Sequence, residues 1–206
     1  MNPDERATVI VANGEWDPRT LRVAAFSAAH IVVCDGAADR FLAEIPVAPD
    51  LVIGDCDSIS SESAARLGER LCKVPSQEDN DLSKAFTACR ERGWDANMVV
   101  HGACGRREDH SLGNIFRALE AGARIKTPYG TFTPVDDAMD FQTREGSAVS
   151  IFATDPETQM ESTGLVWPLE GVKFENLYCA TLNKTCAESF TVKTNRRVYV
   201  YVAKEA

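Results

Sequence analysis

Between Thr8 and about Tyr129 the chain keeps switching between two hydrophobic periods, and that alternation leaves one fold class open to it. TVIVAN, IVVC, LVIG and NMVVH are short β-branched runs that read as strands. Between them PRTLRVAAFSAA, GAADRFLAEI, SESAARLGERL, NDLSKAFTACRER and DHSLGNIFRALEAG carry apolar residues three and four apart, as helices packed on a sheet require. The expected architecture is an N-terminal α/β sandwich with a largely parallel sheet. After about Thr131 the helical period fades, and SAVSIFAT, MESTGLVWPL, VKFENLYCATLN, ESFTVKT and RRVYVYVA read as strands separated by turn residues. A domain boundary is expected in the polar stretch DDAMDFQTREGS, giving an α/β domain over 1–138 and a small antiparallel β sandwich or barrel over 139–206. So short a second segment has a marginal core and is expected to pack on the first domain or on a second subunit.

Thirty-one acidic against 22 basic residues give a net charge of -9, which argues against a nucleic-acid or anionic-membrane partner. An anionic small substrate would need local help from a cation, a few arginines or helix-start amides. The seven cysteines, at 34, 56, 72, 89, 104, 179 and 186, show no CxxC or zinc-like spacing and read mostly as reduced, buried packing residues. The start MNPDERATVIVANGEW lacks a basic segment followed by an apolar one, and no apolar run is long enough to span a bilayer, so a cytoplasmic protein is expected.

Several acidic residues fall where strands end, the edge at which sheets of this class bind ligands. Asp35 follows IVVC and precedes Gly36; Asp55 and Asp57 follow LVIG, two apart, which in an extended segment puts both carboxylates on one side. Asp79 and Asp81 open the helix that begins near Leu82. Singly, each has a plain reading as a turn or a helix cap. Jointly, carboxylates crowded into one cleft repel one another and imply a cation, and their hard oxygens suit magnesium, which bridges phosphates.

A fourth cluster, HGACGRREDHSLGN, also follows a strand. Gly102 and Gly105 permit a tight loop, Arg106 and Arg107 offer donors to phosphate oxygens, and Asp109 and Ser111 stand at the next helix start. No GxxxxGK[ST] pattern is present, and a surface turn is the competing reading. His110 at the helix start fits either acid–base work or capping and packing.

Together these segments resemble the motif series of the thiamine pyrophosphokinase family in order, spacing and residue type. DGAADR (35–40) resembles DGGANR, and PDLVIGDCDSI (49–59) resembles PDLVIGDFDSI. QEDNDLSKA (77–85) resembles the stretch in which Gln or Lys precedes acidic and Thr-Asp positions, and GACGRREDHSLGN (102–114) resembles GxxGGRxDHxxxN. GLVWPL (164–169) and TLNKT (181–185) resemble GLKYPL and S-x-SN-x. The chain departs from the pattern at Ala37, Asp39, Glu78 and Asn80, at Arg106 in place of a glycine, and at Leu182 in place of a serine.

The resemblance implies transfer of pyrophosphate from ATP to the hydroxyl of thiamine, with magnesium, in a homodimer whose active sites lie at the subunit interface. It implies that Asp35, Asp55, Asp57 and Asp81 are catalytic, with Asp55, Asp57 and Asp81 on the metal. It places Gln77, Asp81, Arg107, Asp109 and His110 on the nucleotide side, and Asn183 and Trp167 on thiamine, although a tryptophan in a strand segment also reads as a buried packing residue. The same carboxylates and arginine would equally suit a magnesium-dependent phosphohydrolase, or a nucleotide or thiamine sensor without turnover.

Overall fold

The computed structural model describes residues 6–76 and 78–204, which form two compact units divided between Pro128 and Tyr129. The first carries six strands, β1 (Thr8–Val11), β2 (His30–Cys34), β3 (Leu51–Gly54), β4 (Leu71–Lys73), β5 (Met98–His101) and β6 (Arg124–Thr127). Its helices are α1 (Pro18–Ser27), α2 (Asp35–Glu44), α3 (Ser61–Leu67), α4 (Asp81–Glu91) and α5 (Glu108–Glu120). The strands run in the order β6-β5-β1-β2-β3-β4 with every pairing parallel. Crossover helices dictate this, because a parallel neighbour can be reached only by carrying the chain back over the sheet.

Period-two geometry sorts the strand side chains between two helical layers. Val9, Val11, Ile31, Val33 and Val52 pack with Leu21, Ala25 and Phe41 in one core cluster. Ile10, Val32 and Ile53 therefore point to the other face, where α4 lies against β2 and β3. Burial on both faces explains why these strands read as continuous apolar runs. Three helix starts carry side-chain caps: Asp17 accepts from the Arg19 N–H, Ser60 from the Ser63 N–H, and Asn80 from the Ser83 N–H.

The second unit holds β7 (Gly130–Val135), β8 (Ala138–Gln142), β9 (Ala148–Phe152), β10 (Met160–Thr163), β11 (Ala180–Lys184), β12 (Ser189–Thr194) and β13 (Val198–Ala203). Within it the antiparallel order β11-β9-β13-β7 forms one layer and β10-β12-β8 the other. Val149, Ile151, Val198 and Val200 from the first meet Phe190, Val192 and Met160 from the second in a common core. Phe141 and Phe190 stack there at 4.6 Å between ring centroids.

Four expectations need correction. The units divide at Pro128/Tyr129, upstream of the expected 138/139, because β7 and β8 pair with β13 and β12 of the second unit. The stretch expected to be a polar boundary contains β8, whose Met139 and Phe141 pack on the core while the alternate positions are exposed. Of VKFENLYCATLN only the end is strand, β11, and of MESTGLVWPL only β10, the rest being irregular. Cys34 and Cys89 are buried, whereas Cys179 and Cys186 are exposed and Cys56, Cys72 and Cys104 lie between; all seven are free thiols.

Candidate active site

The carboxyl ends of β1, β2, β3 and β5 share one edge of the parallel sheet, and Asp35 stands at its centre as the first residue of α2. Only 2 % of Asp35 is exposed. Its Oδ1 accepts from its own helix start, the Gly36 N–H at 2.6 Å, and its Oδ2 accepts the Cys56 N–H at 2.7 Å. Gly54, the last residue of β3, makes room for this: a Cβ there would fall on the Asp35 carboxyl carbon and 2.8 Å from Oδ2. Glycine, aspartate and turn thus form one packed unit, in which β3 yields space and the loop after it yields a donor.

Asp81, the first residue of α4, brings its carboxylate against Asp35. Burial first, then the Asp81 charge and the hydrogen bond to Asp81, push the Asp35 carboxyl up to about 6. On the other side of Asp81, the Lys84 Nζ lies 3.2 Å from Oδ1 with its side chain 6 % exposed. The same two aspartates, after burial, hold the Cys34 thiol far above its usual range, which keeps it a neutral packing group.

Asp55 is half-buried and Asp57 exposed. They do not lie in an extended segment as expected: Cys56 between them has φ 65°, and the Asp57 N–H donates to Asp55 Oδ1 at 3.2 Å, closing a turn. The same turn points the Cys56 N–H at Asp35, 21 residues earlier in the chain, and the left-handed residue costs of order 1 kcal/mol of backbone strain. Among the described residues no group of three His, Cys, Asp or Glu side chains converges closely enough to hold a metal ion, so Asp55, Asp57 and Asp81 do not form a ready-made three-carboxylate set. What the structure does bring together is Asp81 with Asp35.

Loops after β1 and β5 are woven together: the Gly14 N–H donates to Gly102 O and the Glu15 N–H to Cys104 O, at 2.8 and 2.7 Å. A Cβ at residue 14 would collide with both carbonyls, so only glycine fits this crossing. Behind the β5 loop, buried Asn114 of α5 donates to Ala103 O at 2.9 Å and accepts from the Asn80 side chain at 2.8 Å, tying the starts of both α4 and α5 to the edge. Arg107 and Asp109, both exposed, form a two-point ion pair at 3.1 and 2.6 Å. That pairing holds the Asp109 carboxyl down at about 2. His110 is exposed in the first turn of α5. Gln77 lies outside the described residues.

In the second unit Asn183 is 4 % exposed, and its amide is engaged by the chain itself: it donates to Trp167 O at 2.7 Å and accepts from the N–H groups of Trp167 and Lys184. It positions the strap 166–168 rather than presenting a free amide. Trp167 is 55 % exposed on that strap, which corrects the reading of a buried packing tryptophan. A groove of about 840 Å³ in the same unit, lined by Asp137, Glu161, Glu170 and Lys193 among others, contains none of the expected site residues.

Sequence reasoning missed Asn13, Lys84 and the support given by Asn114. Lys84 lies on the side of α4 away from Leu82, Ala85 and Phe86, where a lysine reads as solvent-facing, yet it is buried beside Asp81. Asn13 carried no signal, because its partner Arg106 is 93 residues away.

A parallel sheet with an acid pair and a glycine–arginine loop at its carboxyl edge defines a ligand-handling α/β domain, here followed by an antiparallel sandwich. Residues 22–127 match the family model for the thiamin pyrophosphokinase catalytic domain, and residues 130–201 match that for the thiamin pyrophosphokinase substrate-binding domain. The chain belongs to the thiamin pyrophosphokinase family. The two matches meet where the compact units divide. Among solved structures, thiamine pyrophosphokinase from Bacillus subtilis is 18 % identical with a TM-score of 0.76, covering 97 % of this chain and 99 % of that one. Thiamin pyrophosphokinase from Candida albicans is 15 % identical with a TM-score of 0.77, covering 98 % and 90 %. The yeast enzyme is 15 % identical with a TM-score of 0.75, covering 98 % and 87 %. At these identities the likeness is one of fold. No curated protein sequence matches the chain.

Proposed function

We infer that this chain is a thiamine diphosphokinase, transferring pyrophosphate from ATP to the thiamine hydroxyl and releasing AMP. The observation that carries this is the match of both family domains, in order, over residues 22–127 and 130–201. The hydroxyl oxygen attacks the β-phosphorus in line, the bond from that phosphorus to the α-phosphate oxygen breaks, and AMP departs. Carboxylates at the strand edge receive the hydroxyl proton.

Magnesium fits the residues present. The donors at the edge are carboxylate oxygens, and the Asp35–Asp81 pair is held against its own repulsion, which a divalent cation would relieve. Magnesium needs only one or two protein carboxylates beside waters and phosphate oxygens, so a closed three-carboxylate set is not required. Asp81 and Asp55 would hold it, with Asp57 reaching in from the exposed turn and Asp35 ordering the others; when bound it neutralises charge on the transferring and leaving groups. Arg107, Asp109 and His110 at the start of α5, together with Gln77, serve the nucleotide. For Arg107 to reach phosphate, its ion pair with Asp109 opens, exchanging one anion for another. Trp167 offers thiamine an aromatic face on the strap that Asn183 fixes.

The test is incubation with ATP, magnesium and thiamine, following thiamine diphosphate and AMP by chromatography. Equal yields of the two, dependent on metal and on thiamine, are expected. AMP release without thiamine, or phosphate in its place, would overturn the assignment in favour of a hydrolase.

A further inference from the structure

Arg106 has φ 68°, in the left-handed region where glycine sits without strain and a long side chain does not. An arginine held there needs a use for its side chain that offsets the backbone. Its Nη1 donates to the Asn13 Oδ1 at 2.6 Å, reaching from the loop after β5 to the loop after β1. The Asn13 amide in turn lies over Gly36, so close that a Cβ on residue 36 would come 2.8 Å from Nδ2. The Gly36 N–H holds Asp35 Oδ1. Guanidinium, amide, glycine and acid therefore form one line along the carboxyl edge, from β5 across β1 to β2.

That line crosses the point where the chain order of the sheet reverses, since β1 has β2 on one side and β5 on the other. In open parallel sheets this is where a ligand crevice forms. Arg106 is exposed there, and one contact to Asn13 engages one of the five N–H donors a guanidinium carries. Arg107, by contrast, is turned towards Asp109 with two donors engaged. We propose that Arg106 grips the nucleotide's phosphates at the β1/β5 crevice, with Asn13 as the residue that aims it. The proposal rests on the pyrophosphoryl-transfer reading and adds a second phosphate arginine to it.

The experiment is calorimetric binding of Mg-ATP and of magnesium tripolyphosphate to the wild-type protein, Arg106→Gly and Arg106→Lys, with Tm measured for each. Glycine relieves the backbone, so Arg106→Gly is expected to keep or raise Tm while weakening both ligands by a similar factor, about tenfold for the loss of a charge-assisted pair. Arg106→Lys keeps a point charge but not the planar fork and is expected to fall between. Unchanged affinity in Arg106→Gly, or a fall in Tm that shows the arginine to be a structural tie, would overturn the proposal, as would a wild-type protein that binds neither ligand. Arg106-dependent binding in a protein that makes no thiamine diphosphate would instead sink the enzymatic reading and leave the phosphate contact standing.

Discussion

Asp35 shows how a single side chain can carry conflicting demands. Its two backbone donors favour the charged form, while burial and the Asp81 carboxylate favour the neutral one and prevail, leaving it at about 6. A carboxyl whose folded value lies above its unfolded value binds more protons folded than unfolded between roughly pH 4 and 6, so in metal-free protein its contribution to stability declines as pH rises through that window. Asp35→Asn removes this dependence. In the presence of a chelator, the Tm of the variant relative to wild type is therefore expected to increase from pH 4 to pH 7; a constant difference would show that Asp35 ionises freely. Asp57 makes a contrasting case, being exposed, with its backbone N–H donated to Asp55 Oδ1. Asp57→Asn should fold normally and lose turnover by at least about a hundredfold, the scale for removing one group that stabilises developing charge. Near-normal rates at saturating magnesium would remove Asp57 from the site.

At the scale of elements, the antiparallel unit hangs on contacts between its two layers. Phe190 of β12 is 1 % exposed, stacks on its cross-strand neighbour Phe141 of β8 within one layer, and enters the core shared with Val149, Ile151 and Val200 of the other. Phe190→Ala should cost about 3–5 kcal/mol by denaturant titration, and a cost below about 1 kcal/mol would mean that the core between the layers does not depend on this side chain. The same strands show why the sequence was only partly legible. β1, β2, β3 and β5 are buried on both faces and announce themselves as apolar runs. β8 alternates, but its outer face and flanks carry Asp136, Asp137 and Asp140, so composition read as a linker where period two was present. β4 and β6 are as short as β1 and β3 but carry charged residues and only partial burial, so no apolar run marks them. Of the site, the places of Asp35 and Asp81 were legible because strand ends and helix starts are local signals. The Cys56 turn and the Asn13–Arg106 bond were not, since each is fixed by a partner distant in sequence.

For the whole molecule, the strap that Asn183 anchors is one part of an apolar surface in the second unit, with Val166, Trp167, Leu177, Tyr178 and Leu182 all exposed. Leu182, at 85 % exposure and φ 62°, is a large apolar side chain in a strained backbone state. Exposed apolar residues of this kind suit an interaction surface, such as the homodimer implied by the family resemblance would need. Leu182→Asp is expected to shift the protein from dimer to monomer in light scattering; a wild-type monomer at micromolar concentration would overturn the dimer.

β1 lies in the middle of its sheet, bonded to β2 on one side and β5 on the other. Yet it precedes residue 22, where the match to the catalytic-domain model begins. A shortened protein cut to that match would be missing its central strand. The ribosome faces a related problem in time. β2 follows β1 almost at once, but β5 emerges roughly ninety residues later, on the order of 5–20 s at ordinary elongation rates. Throughout that interval the nascent chain presents one bare, apolar strand edge, the feature that most readily recruits a wrong partner. Slower translation would lengthen that exposure, so the yield of native protein should depend on the speed at which the stretch between β2 and β5 is made.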